Sequence, residues 1–289
     1  LLNGRSTFVD RLNRGAYNVP GGGDVFPWQE AKRKLFRSRY AGIVLFPFVY
    51  PDAGHRQMVI RHDIARHVPK DISEAVTIQR SIERSVRIIP LKAKPALVAG
   101  VDAAFFDGEV AAVASLFTYP EMRHVRDSAY RGRTSFPYIP GFFFFREGPA
   151  ALGALRRLKV TPDVILIDGQ GIAHPRGAGI ASHLGVLLDV PVIGCAKSRL
   201  FGEFDEPGRT RGDWSYLYCS GDRGRIGAVV RTRTGVKPVF VSPGHLIDID
   251  SAVDIVLGCV SIYRLPEPLR RAHSLSRRMG KRKDVSDLL

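Results

Sequence analysis

An α/β fold built on a mixed sheet is what this sequence predicts, and three observations carry that reading. Val164–Ile167 is a short apolar run of β-formers that ends on Asp168, enters a glycine-rich turn and is followed by apolar residues at helical spacing over Ile180–Leu188. Ala96–Val101, ALVAGV, is a second apolar strand, and it too ends on a carboxylate, Asp102. Strands that first follow one another through tight turns and later alternate with helices suit a sheet with antiparallel and parallel parts.

Along the chain, Asp71 and Glu74 form a helix-start pair ahead of an amphipathic helix carrying Ala75, Ile78, Ile82 and Val86. After the strand that ends at Asp102, Val110–Tyr119 and Met122–Tyr130 read as two more strands, with Asp107 and Gly108 in the first turn. Glu147 opens the segment REGPAALGALRRL, in which Leu152, Leu155 and Leu158 recur at helical spacing, so it is expected in a first helical turn. The strand ending at Asp168, the helix Ile180–Leu188 and a strand that finishes near Lys197 continue the alternation. Trp214–Cys219, Arg225–Arg233 and Lys237–Ser242 read as three further strands, and Asp248–Val260 as a closing helix.

The chemistry starts from the two aspartates. One carboxylate at a strand end often only makes a turn or caps the next helix. Two buried strands each ending in Asp are harder to explain that way, because adjacent strand ends can converge, and close carboxylates repel unless a cation lies between them. Magnesium is the natural candidate, since it takes oxygen ligands from one or two carboxylates with water and phosphate completing the set. Glu147 is placed to join them, although a glutamate early in a helix also complements the helix dipole. Gly169 and Gly171 let backbone approach a ligand closely.

The blocks VAGVDAAF, PYIPGFFFFREGPA, PDVILIDGQGIAHPRGAGIASHLGVLLDVPVIGCAKSRL and KPVFVSPGHLIDIDSA, in that order, resemble the endonuclease V family of deoxyinosine-directed repair nucleases. The likeness runs from about Asp71 to about His273. It implies a ribonuclease-H-like mixed sheet flanked by helices, with Asp102, Glu147 and Asp168 as ligands of Mg2+, for which Mn2+ would substitute. It also implies that Lys197 lies near the scissile phosphate and that His245, in SPGH, is the active-site histidine; without the family these read as a solvated lysine and a satisfied surface histidine.

Pro137 and Pro140 stiffen the backbone around Tyr138 and Ile139 into an apolar projection. The resemblance makes this PYIP stretch a strand-separating wedge, and by match the flipped base would sit among Gly141, Phe143, Gly169, Gly171, His174 and Gly179. Phe143 stands where the family commonly carries an aliphatic residue, and at least two of the four phenylalanines 142–145 are expected to be core. The activity so implied is flipping of deoxyinosine and hydrolysis of the second phosphodiester on its 3′ side, leaving 3′-hydroxyl and 5′-phosphate ends. An inosine-specific endoribonuclease and a lesion-binding protein that has lost catalysis are the alternatives. Relatives suggest a monomer.

The remaining composition bounds the setting. The chain has 289 residues and a net charge of +15, of which residues 1–70 carry +7 and residues 269–289 carry +5, leaving +3 for the body. Basic ends suit a polyanionic partner such as DNA, or simply solvated tails. Residues 1–57, with a GGG run and no sustained periodicity, are expected to be a disordered or untranslated extension, residues 58–273 the catalytic domain and residues 274–289 a basic tail. Cys195, Cys219 and Cys259 show no paired spacing, which argues against a zinc site or disulfide framework and makes a reducing cytoplasm the default. The apolar stretch Ala41–Tyr50 is too short to span a bilayer, so no membrane partner is expected.

Overall fold

A computed structural model describes residues 68–134, 136–221 and 224–280. The segment 1–57 lies outside these residues. Helix α1 (Ile72–Ser85) starts where the sequence places it: Asp71 is the N-cap and its carboxylate accepts from the Glu74 amide at 2.9 Å. The Glu74 carboxylate in turn accepts from the Lys70 amide, so two otherwise unpaired donors are satisfied at this end.

Strands β1 (Leu97–Phe106), β2 (Glu109–Thr118) and β3 (His124–Arg133) form an antiparallel meander. Asp107 and Gly108 both adopt positive φ, 47° and 78°, which gives the two-residue turn a twist matched to its strands. The strand expected to end at Asp102 continues to Phe106, because Ala103–Phe106 pair with Glu109–Ala112 across the hairpin. Asp102 therefore sits within the ladder, opposite Val113, and not at a strand terminus.

Helix α2 (Phe143–Arg157), β4 (Val164–Ile167), helix α3 (Ile180–Leu188) and β5 (Val192–Ala196) follow. The helix begins four residues before Glu147, which places this acid in the second turn and not the first. Strands β6 (Glu203–Phe204), β7 (Trp214–Tyr218), β8 (Arg225–Val230) and β9 (Val239–His245) complete one nine-stranded sheet in the order β3-β2-β1-β4-β5-β9-β8-β7-β6. The pairs β1/β4 and β4/β5 are parallel and the rest antiparallel, giving the mixed sheet. Val164 and Leu166 face the helix α4 (Ile249–Gly258) in the main core, together with Val98, Ile193, Val253 and Val256. Helices α2 and α3 lie across the other face.

A last helix, α5 (Glu267–Met279), carries the body past residue 273, where the basic tail was expected to begin. Leu269, Ala272, Leu275 and Met279 recur at helical spacing and are buried, the last three against Ala111, Val113 and Ala129 of the sheet. Four arginines on the same helix hide this pattern in the composition. Its first turn lies directly on β1: a Cβ at Gly100 would come within 2.1 Å of the Pro268 carbonyl carbon. Replacing Gly100 by Ala is expected to cost about 3 kcal/mol by forcing α5 off the strand, a fall in melting temperature of roughly 6–12 °C for a domain of this size. Thermal melting followed by circular dichroism checks this, and an unchanged midpoint would contradict the packing.

Candidate active site

Register builds the centre. In the parallel pair, Val101 stands beside Ile167, and the Asp168 amide donates to the Val101 carbonyl at 3.2 Å. The next residue of each strand is an aspartate, so Asp102 and Asp168 come side by side at the carboxyl end of β4. Lys197 is the first residue past β5, and its Nζ donates to Asp168 Oδ2 at 2.5 Å. From α5, Ser276 Oγ donates to Asp102 Oδ2 at 2.6 Å, and His273 Nδ1 lies 3.3 Å from the same oxygen.

The acids are set against one another. Burial, above all, raises Asp102 above the usual carboxylate range, opposed by the Ser276 hydrogen bond and reinforced by the charge of Asp168. Burial pushes Glu147 up to about 8, and the charges of Asp102 and Asp168 add to that push. One ligand atom each from Asp102, Asp168 and His273 lie within 4.8 Å of one another. Two carboxylates and an imidazole this close, with a third carboxyl beside them that holds its proton up to about 8, fit a hard divalent cation by the chemistry of their donors.

A cavity of about 390 Å³ joins this centre to a second wall. Asp102, Glu147, Asp168 and Lys197 line one part, and Gly141, Phe143, Gly169, His174 and Gly179 another. Tyr138 is 64% exposed at the rim, with its ring 5.3 Å from that of Phe143, and Pro140 lies beside it. Pro137 and Ile139 do not line the cavity. Phe142, Phe144 and Phe145 are buried core, Phe144 also reaching the cavity wall, and Phe143 is the half-buried member of the four at the opening. His174 is buried and its pKa falls to about 3, through desolvation and then the charge of Arg176, so it is neutral; its Nε2–H donates to the Gly141 carbonyl at 2.9 Å.

Two expected site residues lie elsewhere. Gly171 is not on the cavity wall: a Cβ there would meet the Pro243 carbonyl oxygen at 2.0 Å, and its amide donates to Ser242 Oγ. Its glycine is required by the close approach of strand β9. His245 pairs with Val192 at the start of β5, whereas Lys197 follows the end of that strand, so roughly 15 Å of strand separates them. The His245 ring is buried, with Nδ1 accepting from the Arg87 amide at 3.2 Å and Nε2 3.4 Å from Asp189 Oδ1. The histidine brought to the acids is His273. It was legible only through the apolar spacing of α5, which marks that stretch as helix.

Fold and site define the class: a ribonuclease-H-like α/β nuclease, its acidic centre where β4 ends beside the middle of β1. The family model described as Endonuclease V matches residues 80–274. Endonuclease V of Geotalea uraniireducens is 50% identical over 209 residues, covering 72% of this chain and 88% of that protein. The crystal structure of endonuclease V from Streptomyces avermitilis gives a TM-score of 0.70 at 39% identity, covering 78% of this chain and 98% of the other. Endonuclease V of Ciona intestinalis, in complex with a 24mer DNA containing an inosine followed by a ribo-adenosine, gives 0.66 at 30% identity, covering 73% and 98%. The chain belongs to the endonuclease V family.

The raised Glu147 fixes a sign. Between the ordinary glutamate range near 4.5 and about 8, the folded cation-free protein keeps a proton that the unfolded chain has lost, so its stability falls as pH rises through that window. A cation that needs the carboxylate must displace this proton, so its affinity rises with pH up to about 8. Calorimetric titration with Mn2+ at pH 6.5, in buffers of different ionisation enthalpy, is expected to show about one proton released per ion. Glu147→Gln should remove most of that release; equal release from both proteins would contradict the assignment.

Proposed function

We propose that this protein is a divalent-cation-dependent endonuclease that extrudes deoxyinosine from DNA and hydrolyses the second phosphodiester on its 3′ side, leaving 3′-hydroxyl and 5′-phosphate ends. The observation that carries the reading is the single cavity shared by the acid centre and the wall beneath Tyr138. At about 390 Å³ it is of a size that takes a small organic ligand such as a base. The inosine-containing DNA bound by the Ciona relative supports the substrate class.

Asp102, Asp168 and His273 would hold Mg2+ or Mn2+, with Glu147 as the third carboxyl. When bound, the cation neutralises charge on the phosphoryl oxygens and makes water a stronger nucleophile. Lys197, which pairs with Asp168 at the mouth of the centre, would place its ammonium beside a phosphate bound there and stabilise charge developing in the transition state. Ser276 holds Asp102 in place through its hydroxyl. Tyr138, with Pro137, Ile139 and Pro140 behind it, fills the space an extruded base leaves, and extrusion costs a few kcal/mol, least for a weakly paired base such as hypoxanthine. Gly141, Phe143, Gly169, His174 and Gly179 form the receiving wall, supported from below by Gly171.

Nicking of matched duplexes with and without one central deoxyinosine, in Mg2+ or chelator, tests the reading. Wild type should nick only the inosine strand and only with the cation. Asp168→Ala should lower the single-turnover rate by about 10³-fold while the duplex is still bound, and His273→Ala by about 100-fold. His245→Ala should leave the rate per folded molecule unchanged. Binding without any nick would favour a lesion-binding protein. The ribo-adenosine after inosine in the Ciona complex favours running a duplex with a ribonucleotide at that step beside the DNA; cutting of that substrate alone would move the reading to RNA.

A further inference from the structure

The carbonyl of Gly141 receives three donors: Gln79 Nε2 at 2.7 Å, His174 Nε2 at 2.9 Å and Arg176 Nη2 at 3.0 Å. A carbonyl oxygen has two lone pairs, so three donors saturate it. They come from separate parts of the chain, Gln79 from α1 and the other two from the loop between β4 and α3. They are also joined to each other, Arg176 Nε donating to Gln79 Oε1 at 2.5 Å and the Arg176 amide to His174 Nδ1 at 3.2 Å. The Arg176 guanidinium lies 4.4 Å from the centroid of the Phe142 ring, the next residue along.

Gln79 is the informative member. It is 1% exposed on the apolar face that α1 buries with Ala75 and Ile82, where an unpaired amide would be costly. Its amide nitrogen reaches the Gly141 carbonyl and, at 3.4 Å, the Ala178 carbonyl, while its oxygen takes Arg176, so its donors are committed to backbone and not to a base. Gly141 has φ of 82°, and a Cβ there would lie 3.2 Å from Arg176 Nη2 and 3.3 Å from His174 Nε2, so the glycine lets the donors close in. This residue is the junction between the projection 137–140 and helix α2.

We propose that Gln79 and Arg176 are positioning residues that clamp the Gly141 carbonyl and thereby hold the wedge at a fixed spacing from the pocket wall. The proposal rests on the reading that residues 137–140 separate bases. Load on Tyr138 during extrusion reaches Gly141 within three residues, and a left-handed glycine would swing there unless its peptide group were held. The acids stand on β1, on α2 beyond this junction and after β4, so loosening the clamp weakens extrusion more than hydrolysis. The effect therefore scales with how much base extrusion the substrate demands.

Gln79→Met keeps the length of the side chain and removes its hydrogen bonds; Arg176→Lys keeps the charge and removes the fork, and serves if the first variant does not fold. Two readings are taken on each. Hydrogen exchange of a peptide spanning residues 137–145 should accelerate at least about fivefold, while peptides from β1 and α5 stay as in wild type, since one lost buried hydrogen bond is worth about that or more. Single-turnover nicking of an inosine·cytosine duplex should fall about tenfold further than nicking of a single strand carrying the same inosine. Unchanged exchange at 137–145, or equal losses on the two substrates, would overturn the clamp. Failure of the wild type to nick either substrate would remove the functional reading, and the exchange measurement would still judge the clamp.

Discussion

Mutual repulsion between Asp102 and Asp168 is the constraint on which the rest of the site depends. Neither residue is unusual alone. The parallel register of β1 and β4, with Val101 beside Ile167, brings their carboxylates together at the edge of a buried sheet, where the charges are poorly screened. The groups around them answer that charge: Lys197 pairs with Asp168, Ser276 and His273 address Asp102, and Glu147, through burial first and the two aspartates second, keeps its proton up to about 8. A divalent cation held between them would resolve the same conflict more completely.

Helix α5 converts a strand edge into a closed centre. Its apolar side packs on β1 and β2, its first turn rests where Gly100 has no side chain, and from the same helix His273 and Ser276 reach Asp102. Arg271, on the adjacent turn, forms a bidentate pair with the buried Asp127 of β3 and so fixes the rotation of the helix. Packing and chemistry are therefore coupled: what seats the helix also aims the histidine. In the same manner α1, a helix outside the acid centre, reaches the junction between residues 137–140 and α2 through the Gln79 hydrogen bond to the Gly141 carbonyl.

Much of this was legible in the sequence. The apolar run ending on Asp168, the hairpin at Asp107 and Gly108, and the cap at Asp71 follow from local patterns, and the structure places them as expected. Pairing partners were not legible: nothing in ALVAGVDAAFF says that the strand continues through Asp102, because that depends on the partner strand β2. His245 was a strand-end histidine by local reading, but β9 runs antiparallel to β5, so its end lies at the wrong edge of the sheet. His273 was obscured by Arg270, Arg271, Arg277 and Arg278, which make an amphipathic helix look like a solvated tail. Gly171 illustrates a general ambiguity, since a glycine needed by neighbouring backbone and one needed by a ligand look the same in one dimension.

The most direct measurement is the anomalous diffraction of crystals grown with manganese. A peak is expected within coordinating distance of carboxylate oxygens of both Asp102 and Asp168, roughly 2.0–2.3 Å from each, and none beside His245. A protein that binds no manganese there, or that holds it away from both aspartates, would contradict the claim that register-enforced repulsion between these two carboxylates creates the active centre.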